Sequence, residues 1–194
     1  DCRARTLSGA TVKAAMTARA PFNVFDEIQT LTATCQPFAV ATVVRTVAVT
    51  AAKAGAKAVI RSDGAISGGW IGGGCARAAV LKAARECLQD GKPRLISVQP
   101  ADALQEKGVS AGTAKDGVVF ARNMCPSQGT MDIFVEPVLP RPELLIFGSS
   151  PVAVALADLA MRLGYLIAVA GALADQKKFA AVDSAMPVGD VSKL

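Results

Sequence analysis

Gly68-Gly-Trp-Ile-Gly-Gly-Gly-Cys75 runs directly into Ala76-Arg-Ala-Ala-Val-Leu-Lys-Ala-Ala-Arg-Glu-Cys-Leu-Gln-Asp90, and this junction decides the fold class. Val80, Ala83, Ala84, Cys87 and Leu88 recur at i, i+3, i+4, i+7 and i+8, which places them on one face of a helix over 76–90. Gly91 and Pro93 stop it. Upstream, Lys57-Ala-Val-Ile-Arg61 and Ala65-Ile-Ser67 flank Ser62-Asp-Gly64, a hairpin signature. Downstream, Arg94 to Val98 reads as a strand. Strands on both sides of an amphipathic helix indicate an α/β protein.

The same reading extends along the chain. The first forty residues look helical, with Val24, Ile28, Leu31 and Cys35 on one stripe and Asp26 and Glu27 in the first turn. Phe38 to Arg45 is rich in β-branched residues and reads as a buried strand. Val118–Ala121 and Met131–Val135 are further strands, and the polar segment 100–117 is a loop or marginal helix. Glu136-Pro-Val-Leu-Pro-Arg-Pro142 has the composition of a stiff linker. The division expected is an N-terminal α/β domain over 1–136, a linker over 137–143, and a Rossmann-like βαβ unit over 144–194. That unit comprises the strand Leu144–Phe147, a turn at Gly148–Pro151, the helix Val152–Leu163 and the strand Leu166–Ala170. Few residues follow, so it is expected to be truncated, with 172–194 poorly ordered or swapped. Its unfinished edge would be open to a second copy, a homodimer.

Composition removes several function classes. The 194 residues carry 21 basic against 16 acidic groups, a net charge of +5, and no histidine. Without histidine there is no Ser-His-Asp or Cys-His catalysis, no HExxH zinc site and no histidine-ligated metal. Five cysteines (2, 35, 75, 87 and 125) form no C-x-x-C pair, and their odd number argues against a closed disulfide framework. No metal site is expected. The basic residues are scattered singly, which speaks against a nucleic-acid partner. No window reaches the roughly 18 apolar residues of a membrane span. The expected location is the cytoplasm.

Two glycine-bearing loops could carry chemistry. Gly72, Gly73 and Gly74 bring backbone amides to a helix N-terminus, a seat for an anion such as phosphate. Cys75 stands at that helix start with Arg77 close by, and both features favour a thiolate. The competing reading is a tight glycine turn with a small buried cysteine. Trp70, the only tryptophan, could cover a heterocycle or anchor a core. Cys125-Pro-Ser-Gln-Gly-Thr130 offers Cys125, Ser127 and Thr130 for an anion, or is an ordinary inter-strand turn. Glu136 is the one acid considered near that loop. Arg45, Lys53 and Lys57 read as solvated charges. The turn Gly148-Ser149-Ser150 sits where a dinucleotide fingerprint belongs, but Ser150 replaces its second glycine. The acid that should follow is met only loosely, by Asp175, so NAD(P) binding there is doubtful.

With these residues in hand, the chain resembles the XdhC/CoxI/CoxF family of xanthine dehydrogenase accessory and carbon monoxide dehydrogenase maturation factors. The resemblance rests on Ala41–Thr46, Ala54-Gly-Ala-Lys57, the Gly69–Cys75 block, Cys125–Thr130 followed by Phe134-Val-Glu-Pro137, and Leu144–Gly148. It implies a carrier that binds molybdenum cofactor, as molybdopterin or its dinucleotide form, without turnover of its own. The carrier would help sulfurate the cofactor and insert it into an apo-molybdenum hydroxylase, with a cysteine desulfurase as a further partner. On that reading Gly72–Gly74 hold the anion, Arg77 balances its charge and Cys75 is the reactive or metal-contacting group. Three positions depart from the family pattern. Arg77 stands where an acid is common, Val49–Lys53 replaces a Ser-Thr-Pro segment, and Gln128 stands where a glycine is expected. Two other readings remain, a nicotinamide- or nucleotide-dependent oxidoreductase using 144–171 and a purely structural interaction module.

Overall fold

The computed structural model describes residues 23–171, 177–179 and 184–187. The chain divides between Pro140 and Arg141 into two compact units.

The N-terminal unit is a seven-stranded sheet with helices on both faces. Its elements are α1 (Val24–Ala33), β1 (Phe38–Val47), β2 (Lys57–Arg61), β3 (Ile66–Gly69), α2 (Gly74–Asp90), β4 (Arg94–Gln99), α3 (Ala101–Glu106), β5 (Ala114–Lys115), β6 (Val118–Arg122) and β7 (Thr130–Val138). Strand order is β3-β2-β1-β7-β4-β6-β5. All neighbours are antiparallel except β4 and β6, where α3 forms part of the crossover.

Side-chain alternation divides the core between the sheet faces. Ala39, Ala41 and Val43 of β1, Ile96 and Val98 of β4 and Ile133 of β7 meet Val80, Ala83, Ala84 and Cys87 of α2. Those four α2 residues belong to the stripe read from the sequence. Phe38, Val40 and Val59 point the other way and pack against Leu31 of α1. Asn23 caps α1 by accepting from the Phe25 amide at 3.1 Å, with Asp26 and Glu27 in the first turn. Cys35 falls beyond the helix, at φ 53°, so the expected stripe ends at Leu31.

The C-terminal unit contains β8 (Glu143–Phe147), α4 (Pro151–Arg162), β9 (Leu166–Gly171) and β10 (Ser184–Pro187) in a parallel sheet of order β10-β9-β8. Ala153, Ala157 and Ala160 of α4 pack against Ile146, Ile167 and Val169. The expectation that the whole of 172–194 is poorly ordered is corrected by β10. Once β8 and β9 pair in parallel, the free edge of β9 offers a register, and Ser184–Pro187 takes it opposite Ala168–Gly171. The expected linker also shortens. β7 continues to Val138, with Pro137 opposite Ala39, and β8 begins at Glu143, which leaves residues 139–142 between strands. The segment 100–117 contains α3 and the two-residue β5.

Candidate functional site

The glycine block turns the chain from the edge strand β3 into α2. Trp70 donates its amide to the Lys57 carbonyl at 2.8 Å, and Ile71 is buried, so the loop is fixed at its entrance. Gly72 takes φ 109°, a conformation that side chains disfavour. Gly73 is the N-cap of α2 with no side chain to cap it, and the first intrahelical bond runs from the Arg77 amide to the Gly73 carbonyl at 3.1 Å. The amides of Gly74, Cys75 and Ala76 precede that bond. A Cβ at Gly73 or Gly74 would meet nothing within 4 Å, so this helix start is open.

The fold brings the 123–130 loop to Cys75. The Met124 amide donates to Cys75 Sγ at 3.3 Å, joining residues 49 positions apart. Asn123, which sequence reasoning passed over, shapes that loop. Its Oδ1 accepts from the Cys125 amide at 2.9 Å and its Nδ2 donates to the Gly129 carbonyl at 2.6 Å. An asparagine three residues before the turn-forming Pro126 was the available signal. Gln128 adopts φ 52°, which explains physically why glycine suits this position. Gly129 lies against Val49 and Thr50, and a Cβ there would run into the Val49 carbonyl.

The expected site residues divide among several places. Gly73, Cys125 and Ser127 line one cleft of about 30 Å³, together with Thr50, Ala76 and Gly129. That volume suits a water molecule or two. Cys75 opens instead onto a larger groove of about 610 Å³ between α2 and the β4–β6–β5 edge. Gly72 and Gly74 flank Gly73 without lining either cavity. Arg77, two residues after Cys75, projects from another side of α2 and is exposed. Thr130 starts β7 opposite Val47 and does not line the cleft, because strand alternation gives that side to Met131. Trp70 is exposed and lines neither cavity. Glu136 is six residues along β7 from Thr130, about 20 Å away.

Arg45 is not simply solvated. It donates to Asp132 at 2.6 Å, and Asp132 accepts from Ser97 at 2.5 Å. Gln99 donates to Ser97, and Lys107 donates to Gln99. Ser97 and Gln99 are buried, so the chain of bonds satisfies polar groups that water does not reach. Lys57 donates to Thr42 at 2.8 Å.

In the C-terminal unit, Gly148 takes φ 89° and Ser149 lines a cleft of about 720 Å³ with Asp158, Lys178 and Phe179. Ser150 caps α4, its hydroxyl accepting from the Ala153 amide at 3.2 Å. One amide that a pyrophosphate would use at this turn already has a partner within the protein. Asp175 lies outside the described residues.

Cys75, Cys87 and Cys125 are free thiols, and Cys35 is disulfide-bonded. Burial pushes the Cys87 thiol above its ordinary value of 9.0. Among the described residues no group of three or more His, Cys, Asp or Glu side chains could hold a metal ion, and no helix is long and apolar enough to cross a membrane.

The model of the XdhC and CoxI family matches residues 31–99, from the end of α1 through the glycine block and α2 to the end of β4. Over these residues the chain is similar to the XdhC and CoxI family. The YqeB protein of Escherichia coli (strain K12) is 32% identical over 148 residues, covering 76% of this chain and 24% of that protein. The chain thus spans about a quarter of the length of this relative. Among solved structures, a xanthine dehydrogenase from Bacillus halodurans aligns with 84% of this chain and 67% of its own, at 18% identity and a TM-score of 0.41. The XdhC and CoxI match contains Gly72–Cys75 but stops before Cys125; the tertiary fold supplies the second loop.

Proposed function

We propose that this chain is an accessory protein for a molybdenum hydroxylase of the xanthine or carbon monoxide dehydrogenase type. It holds molybdenum cofactor, assists sulfuration of the cofactor and passes it to the apo-enzyme, with a cysteine desulfurase as sulfur donor. The observation that carries this reading is the XdhC and CoxI match over the segment that builds the helix start and Cys75.

The residues present fit such a ligand. The α2 start is uncapped and open, which suits a phosphate or an oxyanionic centre. Cys75 offers a soft sulfur ligand beside it, suited to molybdenum or to sulfur transfer. When bound, the cofactor supplies the redox-active molybdenum that the client requires. The chain's own part is to bind and orient: Gly73 and Gly74 leave the amides accessible, and Asn123 holds the loop whose Met124 amide fixes the Cys75 sulfur.

The test is purification from a host that makes the cofactor, followed by oxidation of bound pterin to its fluorescent products and by activation of an apo-hydroxylase. Wild type is expected to carry pterin and to activate the client. Cys75→Ala should retain the fold and lose both properties by about tenfold or more, as expected for a direct ligand. Equal pterin content and equal activation in the two proteins would remove the thiol from the mechanism.

A further inference from the structure

Strand directions gather three loops at one end of the N-terminal unit. β1 ends there at Val47, opposite Thr130, where β7 begins, and β4 and β6 end side by side at Gln99 and Arg122. The loop after β1 meets the 123–130 loop where Val49 bridges to Gln128 and Gly129 lies against Val49 and Thr50. The glycine block joins them, because Cys75 accepts from the Met124 amide and Gly72 stands against Ala51 and Met131.

This end differs from the rest of the unit in its apolar surface. Among the described residues of the unit, seven large apolar side chains are exposed, and four of them are here: Val47, Val49, Trp70 and Met124. Val49 is 73% exposed and Met124 74%. Single exposed apolar residues are ordinary, whereas four on adjoining loops around a thiol mark a contact surface.

Its charge is equally one-sided. Segments 44–56, 68–77 and 122–130 carry Arg45, Lys53, Arg77 and Arg122 and no acid. Arg45 is neutralised by Asp132 of β7. Lys53, Arg77 and Arg122 are exposed, and among the described residues none of them has an ion pair. The segment 100–112, which also leaves this end, adds Asp102 and Glu106 against Lys107, so the end as a whole stays cationic.

These features select the occupant. A second copy would set like charges against one another, so the face is not self-complementary. An anionic membrane is held by clusters of roughly four to eight cations, more than the uncompensated ones here. Trp, Met and Arg are the residues that protein interfaces concentrate.

We propose that this end docks on an acidic protein surface. Val49, Trp70 and Met124 enter an apolar depression of the partner, and Lys53 and Arg122 each face a carboxylate of its own. The inference rests on the accessory reading for the identity of the partner, gives the client's contact surface its chemistry, and turns Cys75 toward the client.

Apo-xanthine dehydrogenase, prepared in a host that makes no molybdenum cofactor, is the probe, and its binding to the full chain is read by biolayer interferometry. Wild type is expected to bind, with affinity falling about tenfold as salt rises from about 0.05 M to about 0.5 M. Trp70→Ala should weaken binding about tenfold or more, the loss typical of an aromatic anchor. That variant should keep its copurified pterin and its melting temperature while client activation falls. Should it unfold, Val49→Asp at an exposed position makes the same test. Lys53→Glu combined with Arg122→Glu should weaken binding about tenfold or more and flatten the salt dependence. Lys115→Glu, exposed beside the opposite end of β6, controls for net charge and should change nothing.

Absence of binding, wild-type affinity in Trp70→Ala or in the charge reversal, or tighter binding by the charge reversal would overturn the docking face. So would wild-type binding to phosphatidylglycerol vesicles that the same variants lose, or a wild-type dimer that Trp70→Ala dissociates. Full client activation by every docking variant overturns the face and spares the accessory role. Binding that the variants lose, from a wild type that neither carries pterin nor activates the client, overturns the accessory role and spares the face.

Discussion

A methyl group added at Gly129 would strike the Val49 carbonyl, whereas one added at Gly74 would meet only open space. Neighbouring glycine-rich loops therefore use glycine for different reasons. Gly129→Ala should lower stability by about 2–3 kcal/mol in urea unfolding, because the two segments must separate to admit the Cβ. Gly74→Ala should raise stability by up to about 1 kcal/mol, since alanine suits a helical position better. If Gly129→Ala proved neutral, the close approach of Val49 would be wrong. At Gln128, held at φ 52°, substitution by glycine should gain about 0.5–1 kcal/mol by relieving the left-handed conformation. The thiols also differ residue by residue. Cys75 and Cys125 are half-buried and Cys87 is fully buried, with its pKa raised, so alkylation near about pH 8 should label the first two and reach Cys87 only on unfolding. Peptide mass spectrometry reads the order directly. The choice between packing and function at these glycines was open in the sequence, because glycine looks the same whether it admits a neighbour or exposes an amide.

At the scale of elements, the C-terminus of α2 is tied to β4. Gly91 closes the helix at φ 71°, its amide donating to the Cys87 carbonyl, and Arg94 reaches back to Asp90 at 2.8 Å and to Glu86 at 3.1 Å. The Arg94 hydrogen bond, helped by the Lys92 amide, holds the Asp90 carboxyl at about 2, below its ordinary 3.8. A carboxylate with a depressed folded value contributes stability above its unfolded value, and that contribution fades as pH falls through the folded one. Asp90→Asn should therefore flatten the acid limb of stability between about pH 4 and pH 2 and leave its slope at neutral pH unchanged. Across β4 and β7, the buried Ser97 hydroxyl donates to Asp132 and accepts from Gln99. Ser97→Ala would leave two polar partners unsatisfied and should cost about 1–3 kcal/mol by chemical denaturation. A loss within about 0.3 kcal/mol would show that water replaces the hydroxyl. The strands and helices themselves were largely readable. The α2 stripe, the Asp63-Gly64 hairpin and the β8–α4–β9 order follow from local periodicity and turn residues. The Arg45–Asp132–Ser97 connections were not, because they join residues 35 and 87 positions apart.

For the molecule as a whole, the two cores are separate. The residues that bury α1 and α2 against the seven-stranded sheet all precede Pro140, and those around α4 all follow Arg141. Residues 23–140 alone should therefore melt in a single cooperative transition by calorimetry. A broad, non-cooperative melt would show that this core is incomplete without the rest. By itself the sequence determined the α/β class, the order of most elements, the glycine block at a helix start and the likeness to XdhC and CoxI proteins. Each of these is written in local spacing, where backbone preference and apolar periodicity act over a few residues. Only the tertiary structure decided that Cys75 meets Met124, that Cys125 turns into a different cleft, that Arg77 stands exposed on α2, and that Lys82 and Arg122 line one groove. Those relations depend on strand order, since β6 comes beside β4 through a parallel crossover, and neither periodicity nor turn chemistry encodes which strands become neighbours.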